Sequence, residues 1–302
     1  MIGLREYTIP YLEQYGIETY FPDVVQTLTE EELIKIVPNF DGWIIGDDPA
    51  TGDVFKAGAS GRLKAAVKWG IGVDNVDFDA CKRLNIPITN TPNMFGKEVA
   101  DIAWGYVIAL ARETFFIDKE IRKKNWPKNC GISLEDKTAG LIGYGDIGKN
   151  TAKRLKVSGM EVIVYDPVVS EITKPEIYLK RWPDSIEQCD FLIFTCSLNN
   201  KNRHMFNRSI IDQCKPGIRI VNVARGALIN ETDLCEGLAT GKIHSAALDV
   251  FETEPLPDNS KLRTHPLCIL GSHNSSNTFE AVMRTNKRAI DCLLNFLGIL
   301  EL

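Results

Sequence analysis

The sequence predicts an α/β protein with two domains: a Rossmann-type doubly wound dinucleotide domain, and a smaller parallel α/β unit. Three observations predict it. An apolar run at 139–142 leads into Gly143-Tyr144-Gly145-Asp146-Ile147-Gly148, and helix-spaced Ile147, Thr151, Ala152 and Leu155 follow. A second apolar run, 162–165, ends in Asp166, about 20 residues beyond the glycines. Strand-like runs recur at 191–196, 218–223, 246–250 and 267–270. With the first two they make six, the strand count of a complete doubly wound domain.

The glycine spacing has a physical reason. Gly143 allows the tight turn, Gly145 lets backbone approach a pyrophosphate, and Gly148 lets the helix pack on the strand. Free N–H groups and the helix dipole then hold phosphates. Asp166 accepts from ribose hydroxyls and repels a 2′-phosphate, and Pro167-Val168-Val169 supplies no cation to hold one. The expected cofactor is therefore NAD rather than NADP.

The chain has 302 residues, which fits about two domains. It is 44% hydrophobic and 25% charged, ordinary for a soluble globular protein. A net charge of −5 gives no reason to expect nucleic acid or an anionic membrane as partner. No apolar run reaches the roughly 20 residues of a membrane span, and the N-terminus lacks a signal-peptide layout. Eight cysteines are scattered with no C-x-x-C pair, so reduced thiols in cytoplasm are expected, with no metal site.

Before residue 95 the candidate strands are 17–20, 43–45, 65–68 and 87–90, with a helix at 30–37 capped by Thr29. A first strand is expected before Tyr7, although residues 1–4 are short for one. Gly70 and Gly72 follow the 65–68 strand, where backbone N–H groups suit a small anion and equally suit an ordinary strand-to-helix turn. Residues 98–112 form the strongest helix pattern. Val99, Ile102, Ala103, Tyr106, Val107 and Leu110 make one stripe, and Ala100, Trp104 and Ile108 add apolar surface elsewhere. Such a helix reads as a connector between domains and between subunits, or as a one-domain core helix. Residues 112–137 read as a charged surface crossing. A last helix is expected at about 278–297, with no regulatory domain expected after it.

Three groups fit chemistry at strand ends: Arg225 after I-V-N-V-A, Glu254 after A-L-D-V-F-E-T, and His273 after C-I-L-G-S. In an open α/β sheet the strand carboxyl ends line the ligand crevice. An Arg holds a carboxylate and polarises a carbonyl, and a His passes a proton to or from a substrate oxygen. A neighbouring Glu favours the imidazolium. Each also has a plainer reading: a salt bridge, an exposed Glu-Pro turn, a structural His. His204, His244 and His265 read as structural.

The motifs G-Y-G-D-I-G-K, V-N-V-A-R-G-A-L-I, K-I-H-S-A-A-L-D-V-F-E-T-E-P-L and H-P-L-C-I-L-G-S-H, in this order, resemble the D-isomer-specific 2-hydroxyacid dehydrogenases. G-I-G-V-D-N-V-D and the 98–112 helix extend the resemblance over the chain after about residue 43. The resemblance implies an NAD-dependent oxidoreductase that interconverts a 2-keto acid and a D-2-hydroxy acid. It implies an NAD domain, 98–273, inserted into a flavodoxin-like substrate domain made of 1–97 and 274–302, with the site in the cleft between them. Arg225, Glu254 and His273 fall on the catalytic set. Lys68, Trp69, Gly70, Ile71 and Gly72, with Arg225, fall on the substrate-binding set. Cofactor contacts fall on Gly143, Tyr144, Gly145, Asp146, Ile147, Gly148, Asp166, Cys196, Ser197 and Asn202. They continue on Val223, Ala224, Arg225, Asp249, His273 and Ser275. A homodimer through the 98–112 helix is also implied.

The chain departs from the pattern in places. Ser197 stands where proline is usual, Asn202 where threonine is, and Lys68 where arginine is common. Asn274-Ser275-Ser276-Asn277 is more polar than the usual run, and Asp47 and Asp48 disfavour a phosphorylated substrate. Alternatives of other kinds are an NAD(H)-sensing binding module, corepressor-like, and oxidation of another small anion.

Overall fold

The computed structural model describes residues 4–24 and 27–301. They fall into two compact units, one up to Met94 and again from Asn277, the other Phe95–Ser276. The domain boundaries expected from sequence lie three residues from these divisions.

The smaller unit opens with α1 (Arg5–Glu13) and α2 (Glu30–Ile36). Thr29 caps α2 in a reciprocal capping box with Glu32. Then follow β1 (Gly42–Ile45), α3 (Gly52–Ser60), β2 (Ala65–Lys68), α4 (Phe78–Arg83) and β3 (Ile88–Asn90). The three strands pair in parallel, in the order β1-β2-β3. This is fewer than the five of a flavodoxin order. Two expectations are corrected here. Residues 17–20 form no strand: Gly16, at φ 70, ends the α1 turn, and the Ile17 N–H folds back onto Leu12 O. The segment before and around Tyr7 is helix, not strand; residues 1–3 of that expectation lie outside the described residues.

The larger unit begins with α5 (Gly96–Arg112) and α6 (Thr114–Arg122). The second of these lies within the charged surface crossing expected at 112–137, where no helix was expected. Its helix buries no residue: Phe115 and Ile121 are exposed, and Phe116 and Ile117 are half-buried. On α5, Val99, Ala103, Val107 and Leu110 are buried as the stripe requires, but Ile102 is exposed. The remaining elements are β4 (Thr138–Ile142), α7 (Asp146–Val157), β5 (Glu161–Tyr165), β6 (Ile177–Lys180), β7 (Phe191–Phe194), α8 (Arg208–Gln213), β8 (Ile218–Asn222), α9 (Glu231–Ala239), β9 (Ile243–Leu248) and β10 (Cys268–Leu270). Their sheet has seven parallel strands in the order β10-β9-β8-β7-β4-β5-β6. This is the doubly wound 3-2-1-4-5-6 order with one strand added beyond the sixth. The six strands read from sequence lack β6. That strand is short, sits at the edge, and buries only Ile177 among its four residues. The interior strands β4, β7 and β8 are almost wholly buried, as parallel strands covered on both faces must be.

The chain closes with α10 (Phe279–Phe296), capped by Thr278. Ala289, Cys292 and Leu293 of α10 pack with Ala65 and Val67 of β2. Leu33, Val54, Phe55 and Cys81 form a cluster with Ala66, whose side chain points to the opposite face of β2. The small sheet is thereby covered on both faces.

Candidate functional site

In the larger unit every predicted cofactor and catalytic residue lies on a turn that leaves the carboxyl end of a strand, or on the first turn of the helix that follows it, where doubly wound folds bind ligands. The first turn is set by its glycines. Gly143 has φ +96, and a Cβ there would stand 2.8 Å from the Cys196 backbone. A Cβ on Gly148 would stand 2.2 Å from Gly143 O, so α7 packs on β4 only with glycine at that position. A Cβ on Gly145 meets nothing within 4 Å. Glycine here is not demanded by the protein's own packing. It leaves open backbone at the N-terminus of a 12-residue helix, the arrangement that accepts a pyrophosphate. Asp146 begins α7, and its carboxylate lies against Gly96, where any Cβ would clash. Tyr144 is buried, which pushes its phenol pKa up. Ile147 is half-buried.

Asp166, just beyond β5, accepts the Tyr144 N–H at 2.7 Å and the Val168 N–H at 2.9 Å. Its carboxylate is thus fixed beside the glycine turn, where ribose hydroxyls would find it. The residues present therefore fit a dinucleotide.

The turn after β7 is closed by Asn202. Its Nδ2 donates to Ser197 O, and its Oδ1 accepts the Asn199 N–H, each at 2.7 Å. Ser197 is exposed, and burial raises the Cys196 thiol to about 12. After β8, Asn222 is fully buried and shapes the Val223-Ala224-Arg225 turn. It accepts the Ala224 N–H at 3.0 Å and donates to Arg225 O at 2.9 Å. The Arg225 guanidinium donates to Ala224 O at 2.9 Å. A Cβ on Gly226 would stand 1.8 Å from the Phe251 carbonyl carbon. This turn therefore lies backbone to backbone against the one after β9.

That next turn carries Asp249 and Glu254. Asp249 is 3% exposed and organises the residues around His273. Its O accepts the His273 N–H at 2.7 Å, and its carboxylate accepts the N–H groups of Asn274 at 3.1 Å and Ser275 at 2.8 Å. The Ser275 hydroxyl donates to the same carboxylate. His273 itself holds a left-handed backbone, φ 56. Its Nδ1 is 2.7 Å from Glu254 Oε2, and Glu254 Oε1 accepts the Phe251 N–H at 2.9 Å. A carboxylate at Nδ1 fixes the orientation of the imidazole.

Sequence spacing missed Asn222, Gly226 and the acidic pair Glu231 and Glu252. An Asn inside I-V-N-V and a Gly directly after the Arg are the signals for the first two, and no local pattern marks the acidic pair. His204, read as structural, lies with its Nε2 3.2 Å from Glu252 Oε2 but without hydrogen-bond alignment.

The predicted substrate residues belong to the smaller unit. Lys68 is buried and donates to Gly46 O at 2.6 Å, with Asp47 at 3.4 Å. Trp69 Nε1 donates to Asn286 at 2.8 Å. The Gly70 N–H, one of the donors that suited an anion, donates to Thr91 Oγ1 at 2.7 Å. Ile71 is exposed, and Gly72 follows it on the same turn.

Residues 104–275 match the family described as D-isomer specific 2-hydroxyacid dehydrogenase, NAD binding domain. The chain belongs to that family. It is 35% identical over 278 residues to a hydroxypyruvate reductase of Thermotoga maritima, covering 90% of each chain. It is 35% identical over 285 residues to a D-3-phosphoglycerate dehydrogenase of Methanocaldococcus jannaschii, covering 92% of this chain. That match takes in 53% of the relative, so the chain spans about half the length of the phosphoglycerate dehydrogenases it resembles. Among solved structures, apo D-lactate dehydrogenase of Escherichia coli superposes with TM-score 0.81 at 28% identity, covering 97% of this chain and 95% of that one. The family makes NAD the cofactor of the larger unit, and its enzyme class is NAD-dependent oxidoreduction.

Proposed function

We propose that this protein interconverts a small 2-keto acid and its D-2-hydroxy acid, with Arg225, Glu254 and His273 as the catalytic set. The observation that carries the assignment is the 2.7 Å contact between His273 Nδ1 and Glu254 Oε2 on two neighbouring strand-end turns. Bound NAD supplies the hydride acceptor, or the donor when reduced. In the reducing direction His273 Nε2 delivers a proton to the carbonyl oxygen, and Glu254 steadies the imidazolium through Nδ1. Arg225 draws the carbonyl oxygen's charge and holds the substrate carboxylate with its fork of donors. In the oxidising direction the same imidazole takes up the hydroxyl proton.

The substrate carboxylate loop is assigned to Lys68, Trp69, Gly70, Ile71 and Gly72 by the family resemblance. Asp47 stands 53% exposed beside Lys68 and opposes a phosphate there. We therefore favour unphosphorylated acids such as hydroxypyruvate, glyoxylate or pyruvate. Residues 98–273 are assigned to NAD, and 1–97 with 274–302 to substrate. A homodimer through the 98–112 region is supported by exposed Ile102, Phe115 and Ile121 on α5 and α6, apolar surface of the kind that marks an interface. A cytoplasmic location is supported by eight free cysteines. No helix among the described residues is long and apolar enough to cross a membrane.

The test is NADH oxidation by the purified protein with a panel of 2-keto acids. We expect reduction of at least one, and a fall of about 10²–10⁴-fold in His273→Ala with NADH binding retained. If no acid is reduced, or His273→Ala matches the parent protein, this assignment is wrong.

A further inference from the structure

The geometry points to Glu252, acting with Glu231, as a positioning pair that clamps the turn bearing Glu254 onto the turn bearing Arg225. The inference rests on the catalytic roles just assigned. Glu231 is the first residue of α9, on the segment that leaves Arg225, and Glu252 stands two residues before Glu254. Each carboxylate accepts the other residue's backbone N–H. Glu231 N donates to Glu252 Oε1 at 2.8 Å, and Glu252 N donates to Glu231 Oε1 at 2.6 Å.

Helix capping does not explain the pair. Asn230 already caps α9 by accepting the Asp233 N–H. The pair also brings like charges together. The Glu231 carboxyl is pushed above its ordinary range by burial first, and then by Glu252 and Glu254. Two charge-assisted bonds to backbone offset that repulsion. What they achieve is mechanical. Gly226 presses on the Phe251 and Glu252 backbone at the centre of the two turns, and the glutamates lock the flank. The Phe251 N–H then fixes one oxygen of Glu254 and leaves the other for His273. A third loop joins them: the His204 N–H donates to Ala227 O at 2.8 Å, and its ring faces Glu252. The titratable groups facing the Glu231–Glu252 pair are Glu254, His204 and Cys235, with His273 beyond Glu254.

Acceptance of an N–H needs an oxygen, not a charge, so glutamine keeps the clamp and alanine opens it. In the full chain, Glu252→Ala should lower kcat about 10–100-fold with the NADH Kd within about twofold, since loosening near the reacting groups costs rates of that order. Glu252→Gln should restore most of the rate. The His273 ring, followed by NMR titration, should shift in Glu252→Ala towards its behaviour in Glu254→Gln and stay near the parent in Glu252→Gln. If Glu252→Ala leaves kcat, the pH profile and the His273 titration unchanged, or if alanine and glutamine impair equally, the clamp is refuted. Should Glu252→Ala fail to fold, Glu231→Ala against Glu231→Gln reads the same contact from its other side. The NMR titration needs no turnover. A protein that reduces no keto acid would therefore overturn the catalytic assignment while still deciding whether Glu252 positions Glu254.

Discussion

Both parallel sheets send an interior strand into a glycine turn, and the two turns are built on different grounds. After β4, Gly143 is required twice: its φ is +96, and the Cys196 backbone occupies the place of a Cβ. The chain then enters α7 almost at once. After β2, Gly70 is required only by its φ of +110, with nothing within 4 Å, and the chain runs through irregular turns before α4 begins at Phe78. Of the two glycines after β2, a conformational need marks only Gly70. Conformational, packing and ligand needs together leave three at fixed spacing. This is why the first turn is legible as a motif and the second only as a possibility.

Substitutions can break or sharpen that contrast. Gly143→Ala should cost most, roughly 2–5 kcal/mol, from left-handed strain plus overpacking against Cys196. Gly70→Ala should cost about 1–2 kcal/mol, the strain alone. Urea unfolding of the two variants measures the difference, and equal losses would erase the distinction. Gly145→Ala is the converse case. With no neighbour to meet, stability should change by less than about 0.5 kcal/mol, while the NADH Kd rises at least about tenfold by titration calorimetry. Unchanged NADH affinity would mean that the open backbone is not a pyrophosphate cradle.

A smaller effect separates the units by their thiols. Burial pushes Cys189, Cys196, Cys214 and Cys268 in the larger unit, and Cys81 in the smaller, up to about 12. In the unfolded chain each loses its proton near pH 8.5. Between roughly pH 8.5 and 12 the folded chain therefore holds more protons than the unfolded one, and stability falls as pH rises. The melting temperature should decline above about pH 9 and show no thiol-linked change below pH 8. At pH 8, iodoacetamide should modify exposed Cys130 well before Cys196.

Legibility followed how many constraints each segment meets. Strands β4, β5, β7, β8, β9 and β10 are apolar runs at sheet positions, and the sequence shows them. Strand β6 buries one of its four residues and α6 none, and both are short, so neither stands out beside the longer buried runs. Helix α1 contains Pro10 and buries only Thr8 and Leu12, which left its segment open to a strand reading. In the candidate site the strand-end positions of these residues were readable, and their contacts were not. Glu254 and His273 lie 19 residues apart, and Glu231 and Glu252 lie 21 apart. Nothing local encodes either meeting. The register between β8, β9 and β10 produces both.

His273 occupies a backbone region that suits glycine or asparagine better than histidine. Residues held in such conformations cost of order 1–3 kcal/mol, which surrounding structure must outweigh. Here Asp249 does so by gathering three successive N–H groups. Selection for heat resistance alone would pull position 273 away from imidazole. A library screened only for surviving folded protein at high temperature should thus enrich glycine or asparagine at this codon, and, given the role proposed for His273, those chains should lose turnover.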